Sequence, residues 1–179
     1  IYKKQELEWI IAIFRPILEV RQLVQREVGA HATYTIDDIL GESKAIKQVR
    51  KMVRTASSAS ASILIRGETG TGRNIMASAL HNESQRRDRP YLTFPLSPIP
   101  NELILIELIG YEEGGYPKHS GSRPSKFELT QGGTLYIQDV DLLPLEAQSV
   151  LLNALEMKVF RRLGSDRPIP LDVRVIAST

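Results

Sequence analysis

The chain has no cysteine in its 179 residues, which excludes disulfide bonds, cysteine-ligated metal sites and a cysteine nucleophile. Histidine is almost as rare, with three residues far apart in the sequence: His31, His81 and His119. None of them has further ligands at metal-site spacing, so we predict no metal centre built on histidine. The lack of cysteine also fits a reducing compartment.

The chain also lacks a strong charge and a long apolar run. Its net charge of +2 gives no reason to expect nucleic-acid or membrane binding from charge alone. It has neither a secretory signal nor an apolar stretch long enough to cross a bilayer, so we expect a cytoplasmic protein without a membrane partner. With 42% hydrophobic and 25% charged residues, the composition is that of an ordinary globular domain.

The most informative segment is a glycine-rich octet at residues 67–74 (GETGTGRN), between an apolar run at 63–65 and a helix-like stretch at 75–80. Strand, glycine-rich turn and helix is the context of a phosphate-binding loop. Glycines let backbone N–H groups turn toward a phosphate, and the helix adds its N-terminal donors. The common pattern ends in lysine and a hydroxyl residue, whereas this chain has Arg73 and Asn74.

The residues before this unit predict a separate piece of structure. A β-branched and aromatic run at 9–14 indicates a strand, and Pro16 then starts a predicted helix that ends near Gly29. We interpret residues 1–29 as the end of an upstream sensory domain with a connecting helix, followed by a linker at 30–35. The alternative, which the residues leave open, is that this segment packs on the main domain.

The main domain, residues 36–179, is predicted to alternate strands with helices. Short apolar strands are expected at 63–65, 91–94, 134–137 and 172–177. Such alternation is typical of a parallel sheet covered by helices on both faces. Ligands of such sheets lie beyond the carboxyl ends of the strands, so the octet and the pair Gln138-Asp139 should meet in one cleft. The first residue is not methionine and the last residues are strand-like, so we expect a fragment of a longer protein.

Two helices are predicted from the spacing of apolar residues. The first begins near Ser43, and the residues expected to face the core are Ile46, Val49, Met52 and Val53. The second begins after Pro144, and the residues that mark it are Leu145, Gln148, Leu152, Leu155 and Val159. Ahead of the second helix, residues 110–124 are rich in glycine, proline and charge and are expected to form a loop.

Several segments together match one family. They are 37–43 (DDILGES), 67–74, 107–110 (ELIG), 127–135 (FELTQGGTL), 143–148 (LPLEAQ) and 172–177 (DVRVIA). On these segments, residues 36–179 resemble the AAA+ domain of bacterial enhancer-binding proteins, the activators of sigma-54 RNA polymerase. The resemblance implies an α/β fold, the P-loop NTPase subdomain with a parallel sheet flanked by helices, truncated before the family's lid. Residues 14–43 and 81–84 (HNES) resemble, more narrowly, regulators of acetoin and dihydroxyacetone operons.

The resemblance implies a site for ATP or ADP, with the adenine beside the 37–43 segment and the phosphates in the octet. The residues so implied are Ile39, Gly41, Gly67, Glu68, Thr69, Gly70, Thr71, Gly72, Arg73, Asn74, Gln138 and Asp139. In the family, the segment matched by 127–135 leads into a strand that ends in Asp-Glu. The first carboxylate holds Mg²⁺ and the second orients the attacking water.

Three departures from the family pattern predict that hydrolysis is impaired or lost. Arg73 replaces the phosphate-binding lysine and is bulkier and planar. Gln138 replaces the magnesium carboxylate, so Mg²⁺ is expected to bind weakly, and Asp139 remains as the catalytic candidate on a shorter stem. Pro95 stands where the family has an asparagine that links the nucleotide state to the glutamate.

The family contacts sigma-54 through a loop that reads GAFTGA. The aligned residues here are Gly114, Gly115, Tyr116, Pro117, Lys118 and His119. Tyr116 keeps an aromatic side chain, but Pro117 replaces the threonine, which argues against sigma-54 contact. The alternative is that Tyr116 is simply an exposed loop residue.

Three functions are compatible with these residues. The first is the central AAA+ domain of a transcription regulator that binds nucleotide with impaired or lost hydrolysis. The second is an active ATPase that remodels sigma-54 RNA polymerase, and the third is a nucleotide-free scaffold that binds a regulatory protein at sigma-70 promoters. The resemblance implies an RNA polymerase sigma factor as partner, a homo-oligomer, and promoter DNA bound through a C-terminal domain outside this chain.

Overall fold

The structure is a computed structural model that describes residues 31–116 and 121–179. The predicted upstream strand and connecting helix, the first linker residue, and Pro117, Lys118 and His119 lie outside the described residues. Within the described residues, no helix combines the length and the apolar character needed to cross a bilayer.

The described residues form five α-helices and six strands. The helices are α1 (Lys44–Ser57), α2 (Arg73–Asn82), α3 (Asn101–Ile109), α4 (Lys126–Leu129) and α5 (Leu145–Met157). The strands are β1 (Ile63–Ile65), β2 (Tyr91–Pro95), β3 (Thr134–Gln138), β4 (Val159–Phe160), β5 (Ile169–Pro170) and β6 (Arg174–Ser178). Two 3-10 turns, Ile36–Asp38 and Val140–Leu142, precede α1 and follow β3.

Four of the strands form one parallel sheet in the order β1-β6-β3-β2. Alternate residues of β3 face opposite sides of the sheet, so Leu135 and Ile137 lie in one core cluster while Tyr136 lies in the other. The first cluster includes residues of α3 and α5, and the second includes residues of α1 and α2. The predicted parallel sheet flanked by helices is therefore confirmed.

The predicted inward face of α1 is right in three positions and wrong in one. Ile46, Val49 and Val53 pack against the core, but Met52 is 61% exposed. At about 100° per residue, Met52 lies some 240° around the helix from Ile46, which takes its side chain off the apolar stripe. The helix begins after Ser43 as predicted, since the Ser43 hydroxyl accepts a hydrogen bond from the Ile46 N–H.

The helix predicted after Pro144 is confirmed as α5, and Leu155 packs against the core, but two other leucines that mark the helix do not. Leu145 and Leu152 are 80% and 56% exposed, whereas the buried residues of the helix are Ala147, Leu151 and Ala154. Two of these buried residues are alanines, a signal that a search for large apolar residues misses. The helix also ends earlier than predicted, because Lys158 adopts a left-handed conformation (φ 56°). Val159 therefore belongs to β4, which pairs with β5 in a small antiparallel hairpin that was not predicted.

A buried histidine lies at the end of the sheet opposite the carboxyl ends of the strands. The His81 ring is 1% exposed, its Nδ1 lies 2.9 Å from Thr134 Oγ1, and its centroid lies 5.1 Å from that of Tyr91. Burial lowers the pKa of His81 from 6.5 to about 4. The positive charges of Arg174 and Arg86 add to this effect. His81 is therefore neutral in the folded chain at neutral pH.

This pKa predicts that acid destabilises the domain. Between pH 6.5 and 4 the unfolded chain binds a proton at this position and the folded chain does not, so the free energy of unfolding falls as the pH drops. The full effect is about 3 kcal/mol. Urea titrations across this range should show a flatter pH dependence for His81→Gln, while His31→Gln, at an exposed position, keeps the wild-type profile. Equal profiles for all three proteins would contradict the assignment.

Candidate nucleotide-binding site

The glycine-rich octet forms a closed turn between β1 and α2. Its first residue is tied to the neighbouring strand end, since the Gly67 N–H donates to the Thr179 carbonyl (3.2 Å). Its centre is closed by Thr71, whose hydroxyl and N–H both donate to the Glu68 carbonyl, at 2.6 and 3.2 Å. These bonds hold the loop at the carboxyl edge of the sheet.

The concave side of this loop is open. Gly70 and Gly72 have left-handed backbones (φ 86° and 87°), and a Cβ atom added to Gly70 would meet nothing within 4 Å. The backbone N–H groups of Gly72, Arg73 and Asn74 have no acceptor among the described residues. Unpaired donors at the start of a helix, next to a glycine-rich turn, form a binding place for an anion.

The end of β3 lies opposite the loop. Gln138 is the last residue of the strand and pairs in register with Pro95 of β2, so these two departures from the family pattern are neighbours. Asp139 follows with a left-handed backbone (φ 55°), and its Oδ1 lies 3.3 Å from Arg73 Nη2. The predicted meeting of the octet with Gln138 and Asp139 in one cleft is confirmed.

Asn74 is the centre of a hydrogen-bond network in this cleft. Its Oδ1 accepts hydrogen bonds from the Tyr136 hydroxyl and from Gln138 Nε2, both at 2.9 Å. The Tyr136 hydroxyl lies in turn 3.0 Å from Ser178 Oγ. The Tyr136 side chain is 1% exposed, and burial raises its pKa, so it remains a neutral donor. The network fixes the orientation of both amides.

Sequence reasoning missed Tyr136 and Ser178 as members of the site. The available signal was the two-residue period of a strand, which puts Tyr136 on the same face of β3 as Gln138. A second missed pair lies just outside: the Thr179 hydroxyl donates to Asp141 Oδ1 at 2.7 Å. This hydrogen bond lowers the pKa of Asp141.

The segment predicted to border the adenine lies along α2. Ile39 is only 6% exposed and packs in the same core cluster as Ala77 and Leu80 of α2, and its carbonyl accepts from Arg50 Nε at 2.9 Å. Its neighbour Leu40 is 81% exposed and is an apolar surface that the sequence interpretation overlooked. Gly41 has a left-handed backbone (φ 130°) next to Ile46.

The side chains available as ligands in this cleft do not fit Mg²⁺. Magnesium prefers carboxylate oxygens, but the Asp139 carboxylate is paired with Arg73 and Gln138 is neutral. Across the described parts of the chain, no group of three or more histidine, aspartate or glutamate residues is placed to hold a metal ion.

The loop aligned with the sigma-54-contacting segment is anchored at its base. The backbone of Tyr111 forms isolated β-bridges with Arg123 and Leu163. The backbones of Gly115 and Gly164 approach so closely that a Cβ atom on either residue would collide with the backbone of the facing segment. Tyr116 is half-buried, with its ring centroid 5.9 Å from that of Tyr111. Both interpretations of Tyr116, as a sigma-54 contact and as a plain loop residue, stay predictions.

Residues 39–179 match the sequence model of the family described as the sigma-54 interaction domain. The chain belongs to this family. Membership agrees with the P-loop NTPase fold of the AAA+ type that the motifs predicted. The narrower resemblance to acetoin and dihydroxyacetone regulators stays a prediction.

Named relatives of this sigma-54 interaction domain are transcription regulators. The chain is 36% identical over 178 residues to a signal-transduction and transcriptional-control protein of Clostridium beijerinckii, covering 99% of this chain and 28% of the relative. It is 39% identical over 177 residues to the DNA-binding transcriptional regulator NtrC of Klebsiella pneumoniae, covering 99% and 38%. Against the transcriptional activator RocR of Bacillus subtilis the identity is 34% over 170 residues, covering 94% and 37%. The chain thus spans less than two fifths of each relative.

Solved structures of NtrX from Brucella abortus have the same fold. The structure in complex with ADP is 29% identical with a TM-score of 0.72, covering 91% of this chain and 35% of NtrX. The structure in complex with ATP is 29% identical with a TM-score of 0.71, with the same coverage.

Proposed function

We propose that this sigma-54 interaction domain is the central domain of a bacterial transcription regulator that binds ATP or ADP in the 67–74 loop and hydrolyses ATP slowly or not at all. The observation that carries the second part is the 3.3 Å ion pair between Arg73 and Asp139. Asp139 is the one carboxylate that remains where the family has Asp-Glu, and this ion pair binds it to Arg73 of the loop.

Nucleotide binding is supported by the geometry of the loop. The loop is open on its concave side and offers unpaired backbone donors at the start of α2. Arg73 adds a permanent positive charge. The fold is shared with NtrX structures that contain ADP and ATP. Leu40 and Gly41 would give the base an apolar surface.

Loss of hydrolysis is supported by the state of the residues around the expected γ-phosphate. An attacking water needs a carboxylate or amide free to orient it. Asp139 is paired with Arg73, Gln138 donates to Asn74, and Pro95 has no side-chain donor. None of these three side chains offers an unpaired carboxylate to orient the water.

The test is ATP turnover by the full-length protein with Mg²⁺, compared under the same conditions with a family member that has the phosphate-binding lysine and the Asp-Glu pair. Loss of a positioned catalytic group costs about a hundredfold or more in rate, and we expect a difference of at least that size. ADP binding measured on the same sample shows that the protein is folded and separates inactivity from misfolding. Turnover equal to that of such a family member would refute the loss of hydrolysis.

The regulatory output is the second part of the proposal. We place the whole protein in the cytoplasm as a homo-oligomer that contacts promoter DNA through a domain outside this chain. The ring of Tyr116 packs on Tyr111, which favours weak sigma-54 contact over the strong contact of an active remodeller. The departure of residues 114–119 from the family's GAFTGA sequence favours, as a second candidate function, a nucleotide-free scaffold that binds a regulatory protein and acts at sigma-70 promoters. Transcription that persists in cells lacking sigma-54 would separate this candidate from an activator of sigma-54 polymerase.

A further inference from the structure

The cleft contains a positively charged side chain, that of Arg73. Arg73 is the first residue of α2, and its side chain is 17% exposed, so it is held between the loop and β3. Its guanidinium reaches Asp139 through Nη2 alone, and its other N–H groups have no acceptor among the described residues. A guanidinium never loses its charge at physiological pH and can bind a phosphate through two parallel hydrogen bonds.

The side chains that would recruit a divalent cation are occupied or neutral. Gln138 donates its Nε2 to Asn74, and Asn74 Oδ1 already accepts a second bond from Tyr136. Asp139 is neutralised by Arg73, and Asp141 accepts from Thr179. The four side chains Arg73, Asn74, Gln138 and Asp139 thus carry one positive and one negative charge.

Asn74 adds donors instead of acceptors to this cleft. Because its oxygen is held by two hydrogen bonds, the Asn74 Nδ2 group keeps both N–H donors, and these have no acceptor among the described residues. Together with the free donors of Arg73 and the backbone of the loop, they form a set of groups that all bind anions. A bound divalent cation would face these donors, and the Asp139 carboxylate is already paired with Arg73.

We infer that this site binds the metal-free form of a nucleoside di- or triphosphate, with Arg73 in the electrostatic role that Mg²⁺ has in related sites. The inference rests on the proposed nucleotide binding and specifies its ligand. The phosphate oxygens are bound by the guanidinium N–H groups that Asp139 leaves open and by the donors of Asn74 and the loop, so Mg²⁺ contributes nothing to affinity. Where Mg²⁺ captures the nucleotide in solution, it lowers the apparent affinity.

The test is calorimetric titration of the full-length protein with ATP and with ADP, once in excess Mg²⁺ and once in excess EDTA. We expect dissociation constants in EDTA equal to those in Mg²⁺ within about threefold, or tighter. Binding that Mg²⁺ strengthens by about tenfold or more would overturn the inference while leaving the proposed function intact. No binding under either condition would refute the proposed function itself.

The variant Gln138→Glu tests the cause, because it adds one carboxylate to the cleft at almost unchanged size. We expect it to weaken binding in EDTA by about tenfold and to make binding respond to Mg²⁺. The matched control is Gln48→Glu, on the exposed surface of α1, which adds the same charge outside the cleft and should leave both constants unchanged. A Gln138→Glu variant with the wild-type response to Mg²⁺ would overturn the role assigned to the neutral amides.

Discussion

Replacing Gly72 with aspartate is expected to lower the affinity for ATP and ADP at least about a hundredfold, which corresponds to about 2.7 kcal/mol. Gly72 caps α2 with a left-handed backbone and lies where the donors of the loop converge. A carboxylate there would face the phosphates at short range. Two unit charges 4 Å apart repel by about 1 kcal/mol in water and about 4 kcal/mol near a protein surface, so a polyanionic ligand loses more than the stated minimum.

The matched control for this prediction is Gly132→Asp. Gly132 also has a left-handed backbone (φ 79°) and open space at its Cβ position, so backbone strain and added charge are the same. It precedes β3 and therefore lies at the opposite end of the sheet from the loop. Calorimetry should give wild-type affinity for this variant. If the two variants bound nucleotide equally well, the 67–74 loop would not be the binding place.

The architecture could be predicted because it depends on short-range patterns. Apolar runs bounded by glycine and proline mark the strands, and alternation with helices implies a parallel sheet. The rule that ligands meet the carboxyl ends of parallel strands then brings Asp139 to Arg73, although 66 positions separate them along the chain. These inferences need no knowledge of side-chain packing.

The network around Asn74 could not be predicted because it depends on the register of distant strands. Tyr136 and Ser178 approach each other only because β3 and β6 pair with Thr134 opposite Arg174. The contact between the rings of Tyr116 and Tyr111 likewise depends on where Tyr111 is anchored. Sequence patterns identify which residues change the chemistry of the cleft, but the tertiary structure decides which side chains contact each other.

Replacing Gly133 with alanine is expected to reduce the free energy of unfolding by at least about 3 kcal/mol. A Cβ at this position would lie 2.0 Å from the Pro90 carbonyl oxygen, and backbone atoms cannot move aside as a side chain can. The Gly133 carbonyl itself is held, since it accepts from the Arg174 N–H at 3.0 Å and from Arg86 Nη1 at 3.1 Å. Relief of the collision would therefore break the junction of β2, β3 and β6.

The neighbouring variant Gly132→Ala isolates a different cost. Its Cβ would meet nothing within 4 Å, so the only penalty is the left-handed backbone, about 1 kcal/mol for a residue with a side chain. Urea unfolding of both variants measures the difference directly. Equal losses would mean that the contact with Pro90 relaxes at little cost, whereas the expected gap of about 2 kcal/mol would show that two adjacent glycines are required for separate reasons. Gly132 supplies a backbone conformation that side chains disfavour, and Gly133 supplies room for the closest approach of two strands.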